Sequence, residues 1–383
     1  MRYIEFLGER VSVLGYGCMR FPTVEVEGKV VIDEEKSIPL IDRAMEAGVN
    51  YYDTAYFYHN HLSEVFMGKA LGRYPRDSYY LATKMPCSMI KSLDQAKEIF
   101  EEQFVKCGVE YFDFYLMHAL DKESFDRNYS LGVYDYLVEQ QKLGRIRHFG
   151  FSFHDTPTVL EYILDTAKFE FCQLQYNYLD YSVQRADLQW QIATSRGLKV
   201  IVMEPLRGGT LVNLPKEARE EMNSHTPSYT PAQWGMRYCM TTEGVLTVLS
   251  GMTTMEQLED NIRTASNLSP LSTSDYDMLE RVVERFTSVP LVPCTGCGYC
   301  MKKCVRGVYI PDIFRDYNEY VLGGDKESYL SKISALRQDL HYANRCVYCH
   351  SCEAICPQHI EISALLRRIQ AGAYRLTEED RYI

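Results

Sequence analysis

Up to about residue 268 the chain alternates between two hydrophobic periods. Short apolar or every-second-residue runs at 11–17, 49–53, 79–84, 112–118, 146–152, 171–176, 198–204 and 244–250 predict strands. The stretches 33–47, 63–71, 92–107, 131–143, 156–167, 182–195, 231–240 and 254–265 carry apolar residues at helical spacing. In the first of these, Ile38, Leu40, Ile41, Ala44 and Met45 form the apolar stripe and Gly48 ends it. Eight strand-then-helix units predict an α/β fold, a closed parallel (β/α)8 barrel with its helices outside. An open doubly wound sheet is the alternative, weakened because no glycine-rich dinucleotide fingerprint follows the first strand. Residues 1–9 are expected to form a small hairpin under the barrel. Residues 272–286 follow, with Ser274-x-x-Asp277 as a capping box and Leu279, Val282, Val283 and Phe286 as an apolar stripe. They predict an extra helix. Pro290-Leu291-Val292-Pro293 reads as a linker, which divides the chain into domains 1–290 and 291–383.

Composition narrows the function. The chain has 383 residues, a net charge of −11 and 46% hydrophobic residues, enough for a sizeable core. An acidic balance argues against nucleic acid and anionic membranes, which recruit basic surfaces. No apolar run approaches the roughly 18 residues of a membrane helix, and the first residues lack the apolar core of a signal peptide. The expectation is a cytoplasmic protein. Of 13 cysteines, eight fall into two tight runs and read as metal ligands in a reducing compartment.

A barrel places its chemistry at the carboxyl ends of its strands. Those ends read Gly17, Asp53, Lys84, His118, Ser152, Gln173 with Tyr176, Glu204 and Gly251. An acid, an ammonium and an imidazole at separate strand ends, with the phenols Tyr56 and Tyr58 beyond Asp53, suit carbonyl chemistry. A phenol of pKa about 10 is too weak an acid alone, and a nearby ammonium lowers that value. Lys84 would be the tuner of a tyrosine acid, Asp53 its counter-charge, and His118 the group that orients the carbonyl oxygen. His59 and His61 read as polar loop histidines, since no third metal ligand stands at a sensible spacing.

The segments DTAYFY with a following Ser63-Glu64, LATKMP, DFYLMHALD and GFSFHD, in this order, resemble the aldo-keto reductase family over roughly residues 1–268. The resemblance selects Tyr58, five residues after Asp53, as the acid. It implies a nicotinamide pocket built from Ser152 and Gln173, with Phe153 where an asparagine is usual and Met203 where an aromatic usually stacks. Leu206, Gly208 and Gly209 would approach the pyrophosphate. Gly251, Thr253, Thr254, Gln257 and Asn261 would hold the adenosine end at a helix N-terminus. Members that prefer NADP usually carry a cation at the positions of Gly251 and Gln257, so its absence here makes NAD plausible.

Cys294-x2-Cys297-x2-Cys300-x3-Cys304 and Cys346-x2-Cys349-x2-Cys352-x3-Cys356-Pro357 carry the spacing of two [4Fe–4S] clusters. In two-cluster ferredoxins the fourth cysteine of a run crosses to the other cluster. Cys294, Cys297, Cys300 and Cys356 are therefore assigned to one cluster and Cys346, Cys349, Cys352 and Cys304 to the other. Structural zinc usually takes two ligand pairs separated by a loop, not four cysteines in one run. Val305 replaces the proline expected after Cys304, which predicts a different turn there. The long insert before Cys346 contains an expected helix at 327–340, suited to docking on the barrel. A helix near 362–370 and a polar tail complete a small ferredoxin-like iron–sulfur domain. Cys18, Cys87, Cys107, Cys172 and Cys239 read as core thiols, with Cys18 and Cys87 able to line a pocket.

The expected function is an oxidoreductase that moves a hydride between NAD or NADP and a small carbonyl or alcohol. Its two clusters would pass electrons to or from a redox protein partner. A hydride carries two electrons and each cluster takes one, so a direct link calls for a splitter such as flavin, for which the sequence has no signal. The alternatives are a reductase with structural or regulatory clusters, and an electron-transfer or docking protein whose barrel has drifted from catalysis. The intact Asp53, Tyr58, Lys84 and His118 weigh against the last.

Overall fold

The computed structural model describes residues 1–379. The chain forms two compact units, Met1–Pro205 with Gln233–Ser272, and Leu206–Ala232 with Thr273 onward. In the first, eight parallel strands close into a barrel: β1 (Leu14–Gly17), β2 (Tyr51–Asp53), β3 (Tyr80–Met85), β4 (Phe112–Leu120), β5 (Ile146–Phe153), β6 (Phe171–Gln175), β7 (Lys199–Met203) and β8 (Val245–Ser250). They pair in sequence order, and β8 returns to β1 through Val248–Leu14, Leu249–Gly15 and Ser250–Tyr16.

The expected first strand is in fact two pieces. Glu9–Ser12 pairs antiparallel with Tyr3–Phe6, and only Leu14–Gly17 joins the barrel. Between them Ser12 Oγ donates to the Leu14 carbonyl at 2.7 Å and the Ser12 N–H donates to Asn50 Oδ1, which turns the chain. The hairpin at 1–9 thus extends to Ser12. Its Phe6 packs into a buried cluster with Tyr51, Phe114, Phe171 and Leu246. Phe114 and Phe171 lie 5.3 Å apart edge to face, a stable aromatic geometry.

Strand alternation then positions the site. Tyr51, Ala82, Phe114 with Leu116, Phe171 and Ile201 belong to that interior cluster. Side chains two residues apart share a face. Asp53, Lys84, His118, Gln173 and Met203 stand two residues after these core positions, so the register that buries the apolar residues also lines up the polar ones above them. The β3–β4 pairing opposes Lys84 to Leu116, and the β5–β6 pairing opposes Ser152 to Gln173.

Several helices match their sequence pattern, such as Leu93–Cys107, capped by Ser92 and ended by Gly108. Others differ. Helix 182–195 is broken into Asp180–Val183 and Ala186–Ser195, with Arg185 at φ 55° between them. The stretches after Asp121 and after Leu211 fold into Lys122–Ser130 and Lys216–His225, the former held by a capping box between Asp121 and Ser124. The polar composition of both segments hid them. A second hairpin, Thr23–Val26 with Lys29–Ile32, was also not evident from the pattern.

In the second unit, helix Thr273–Thr287 packs with Lys216–His225 through an ion pair from Arg281 to Glu221 and a 2.7 Å bond between His225 Nε2 and Asp275 Oδ1. Because this helix starts at Thr273, Ser274 lies in its first turn rather than at its cap. Beyond Val292 a core of Val308, Ile313, Phe314, Ile333 and Leu366 is built by helices Ile310–Val321, Lys326–Gln338 and Ile362–Glu379. The insert helix Lys326–Gln338 buries Tyr329 and Ile333 in this core. The expected polar tail begins later than predicted, since the last helix runs to Glu379, and residues 380–383 lie outside the described ones. Among the described residues no helix is long and apolar enough to cross a membrane.

Helix Ser63–Leu71 crosses the end of Leu93–Cys107 at a glycine: a Cβ on Gly68 would meet the Lys106 and Cys107 carbonyl oxygens at 2.6 and 2.7 Å. Gly68→Ala must part the two helices, and the expected loss is about 1–3 kcal/mol, read as a lower urea midpoint at unchanged iron content.

Candidate active site and cluster sites

At the mouth of the barrel Lys84 is fully buried. Its Nζ donates to Asp53 Oδ1 at 2.6 Å and to the Thr54 carbonyl at 2.8 Å. Burial raises the Asp53 pKa, and Lys84 pulls it back. Asp53 Oδ2 is buried without a hydrogen-bond partner, so the pair is held by one strong charge-assisted bond. Tyr58 lies beside it: Lys84 Nζ is 5.1 Å from the Tyr58 ring centre, and the His118 ring stands 6.0 Å from that ring, edge to face. His118 is buried, and burial, then Lys84 and His154, hold its pKa well below the ordinary value. The imidazole is therefore neutral near pH 7.

The competing phenol is elsewhere. Tyr56 donates to Glu102 Oε2 at 2.9 Å and faces Lys106. Burial and the Glu102 bond push its pKa up to about 12. His59 accepts from the Phe21 N–H, and burial lowers its pKa to about 4, while His61 packs on the Tyr56 ring. Cys18 and Cys87 are fully buried with thiol pKa values raised by burial, so neither lines an accessible pocket.

A second network, missed in the sequence, braces Lys84 from behind. Gln103 Nε2 donates to the Lys84 carbonyl at 3.0 Å and to Glu64 Oε1 at 2.6 Å. Thr83 Oγ1 donates to the same Glu64 oxygen, and the Tyr115 hydroxyl to Gln103 Oε1. Gln103 and Glu64 sit on helices, and only their burial distinguishes them from surface residues. Buried polar groups of this kind are retained because each satisfies another.

Along the rim, Ser152 Oγ accepts from the Ala119 N–H at 2.7 Å, fixing the turn after His118. Gln173 Nε2 donates to Met203 Sδ at 3.5 Å, and its Oε1 is buried with no partner. An orphaned buried acceptor next to a partly buried thioether fits a flat carboxamide-bearing ring. Phe153 is buried and offers no replacement amide. Thr254 and Gln257 cap helix Met255–Ser266 reciprocally, with Gln257 Oε1 accepting from Thr253 and Thr254 N–H, and Asn261 donates to Ser250 Oγ. Gly251 meets the stem of Arg20, an arginine that sequence reading passed over: a Cβ on Gly251 would lie 3.1–3.2 Å from three carbons of the Arg20 side chain. Leu206 and Gly208 belong to the second unit, where Gly208 lies against the Thr295 carbonyl and Arg207 donates to Gln358 Oε1 at 3.4 Å.

In the second unit one cavity is lined by Cys294, Cys297, Cys300 and Cys356 with Ile310 and Phe314. Another is lined by Cys304, Cys346, Cys349 and Cys352 with Val308 and Leu366. The fourth cysteine of each run crosses to the other cavity. Among the described residues no three Cys, His, Asp or Glu side chains converge on the point a single ion would occupy. Four sulfurs spread around an apolar cavity fit a multi-atom cube better. Val305 does not alter the turn: Gly307 N–H donates to the Cys304 carbonyl at 3.1 Å, as His359 N–H does to Cys356 at 3.0 Å.

Removing one member of the buried pair leaves the other charge stranded. Lys84→Met is expected to cost about 3–5 kcal/mol, and Lys84→Met with Asp53→Leu to recover most of it, as read from denaturant midpoints of the two variants.

The aldo/keto reductase family model matches residues 13–284 and the 4Fe-4S dicluster domain model matches residues 293–361. L-galactose dehydrogenase of Arabidopsis thaliana is 25% identical over 305 residues, spanning 74% of this chain and 92% of that protein. The NADH-specific methylglyoxal reductase of Escherichia coli is 24% identical over 298 residues, spanning 66% of this chain and 89% of that protein. The holo structure of aldo-keto reductase AKR11C1 from Bacillus halodurans shares the fold, with a TM-score of 0.62 at 24% identity over 74% of this chain and 96% of that one. The chain therefore belongs to the aldo/keto reductase family, and it is an oxidoreductase whose barrel is followed by a domain for 4Fe-4S clusters.

Proposed function

We propose that the barrel interconverts a small carbonyl and its alcohol with NAD or NADP, and that two [4Fe–4S] clusters exchange single electrons with a redox protein partner. The observation that carries the catalytic part is the buried Lys84–Asp53 pair beside Tyr58 and a neutral His118. A bound nicotinamide would supply the hydride that the carbonyl carbon receives. Tyr58 gives its hydroxyl proton to the carbonyl oxygen, so the C=O becomes CH–OH. Lys84 favours the phenolate left behind, and Asp53 holds the ammonium in place through its 2.6 Å bond. A neutral His118 donates one hydrogen bond to the carbonyl oxygen and does not compete as an acid. Ser152, Gln173 and Met203 would hold the carboxamide and cover the ring, and Gly251, Thr253, Thr254, Gln257 and Asn261 would form the floor for the adenosine end.

We assign Cys294, Cys297, Cys300 and Cys356 to one cluster and Cys304, Cys346, Cys349 and Cys352 to the other, and place the boundary between the two chemistries at 290/291. Backbone N–H groups of Gly296 and Val308 point to Cys294 and Cys304 sulfurs at 3.4 and 3.3 Å, which favours the electron-rich state of such sulfurs.

Tyr58→Phe is expected to lower carbonyl turnover by about a hundredfold or more while dithionite still bleaches the cluster absorption. Tyr56→Phe is expected to keep most activity. Unchanged turnover in Tyr58→Phe would discard the assignment. Cys297→Ser and Cys349→Ser should each reduce iron from about eight to about four atoms per chain in anaerobic iron assays.

A further inference from the structure

Glycine and threonine at positions 251 and 253 leave the amino end of helix Met255–Ser266 without a cation of its own in the sequence. The tertiary structure brings one from the other end of the barrel domain. Arg20, on the loop after β1, lays its side chain directly over Gly251. A Cβ at 251 would crowd this stem and require it to shift by a few tenths of an ångström, so the glycine eases the close approach of the arginine. The loop is fixed there, because Thr253 Oγ1 donates to the Arg20 carbonyl at 2.8 Å. The guanidinium reaches back across the rim to Glu204, just after β7, at 3.9 Å. Both side chains are part-exposed, 34% and 18%, and an ion pair at that separation is weak.

Resting on the nicotinamide reading above, we propose that Arg20 binds a phosphate group of the nucleotide. Three features support this. A guanidinium forms paired, charge-assisted bonds to phosphate. Arg20 and the neighbouring Thr253 are solvent-accessible, so a ligand can reach both. Glu204, Arg20 and Gly251 join the ends of β7, β1 and β8, the same rim on which Gln173 and Met203 present the carboxamide site. The phosphate in question is either the pyrophosphate, common to both nucleotides, or the 2′-phosphate of NADPH alone.

The test is calorimetric titration of the cluster-loaded full chain with NADPH and with NADH, without carbonyl substrate. Arg20→Met keeps the stem over Gly251 and removes the charge. It is expected to weaken NADPH at least tenfold. An equal loss for NADH assigns the pyrophosphate, and a loss confined to NADPH assigns the 2′-phosphate. Arg20→Lys should recover part of the affinity, and raised salt should weaken the wild type more than Arg20→Met. Binding of both nucleotides by Arg20→Met within twofold of wild type would overturn the proposal and leave the nicotinamide reading standing. Wild-type chain that binds neither nucleotide would remove that reading and this proposal together.

Discussion

A lysine ammonium buried in a barrel is the constraint on which the site depends. A buried ammonium must be paired, and Lys84, shut off from solvent, bonds to Asp53 and the Thr54 carbonyl. That requirement fixes β2 against β3 as firmly as the apolar packing below does. A slip of one residue between these strands would turn Lys84 outward and leave Asp53 in a dry interior. The brace behind Lys84, from Gln103 to Glu64, Thr83 and Tyr115, ties the same strand to two helices. The tetrad is thus part of the barrel's architecture rather than an addition at its edge.

The two units carry different physical solutions to holding a redox group. In the barrel, one residue comes from the end of each of several strands, so the site exists only when the sheet closes. In the second unit the cysteines that line the cavities come from two short runs, and the fold's contribution is to cross them. Cys356 reaches the cavity of the first run and Cys304 that of the second. Each run is followed at the same interval by a helix, Ile310–Val321 and Ile362–Glu379, whose apolar residues fill the core between the cavities. The crossing makes the two cavities interdependent.

Much of this was legible because periodicity and spacing are local. The eight βα units followed from alternation, and the cysteine runs from their intervals. Polar segments such as Lys122–Ser130 and Lys216–His225 form helices through caps and neighbours, which a hydrophobic stripe does not reveal. Cys18 and Cys87 looked like pocket residues because they follow strand ends, yet full burial removes them.

The sequence by itself determined the fold class, the strand ends that carry Asp53, Lys84 and His118, and the eight cysteines, since each depends on residue type and interval. It left two phenols after Asp53, of which the family resemblance selected Tyr58, and the folded loop supports that choice by turning Tyr56 toward Glu102 and setting Tyr58 beside Lys84. It also showed no cation near Gly251. Closure of β1 against β8 supplied Arg20 there, across 231 residues of chain (251 − 20), a juxtaposition that no local pattern can encode.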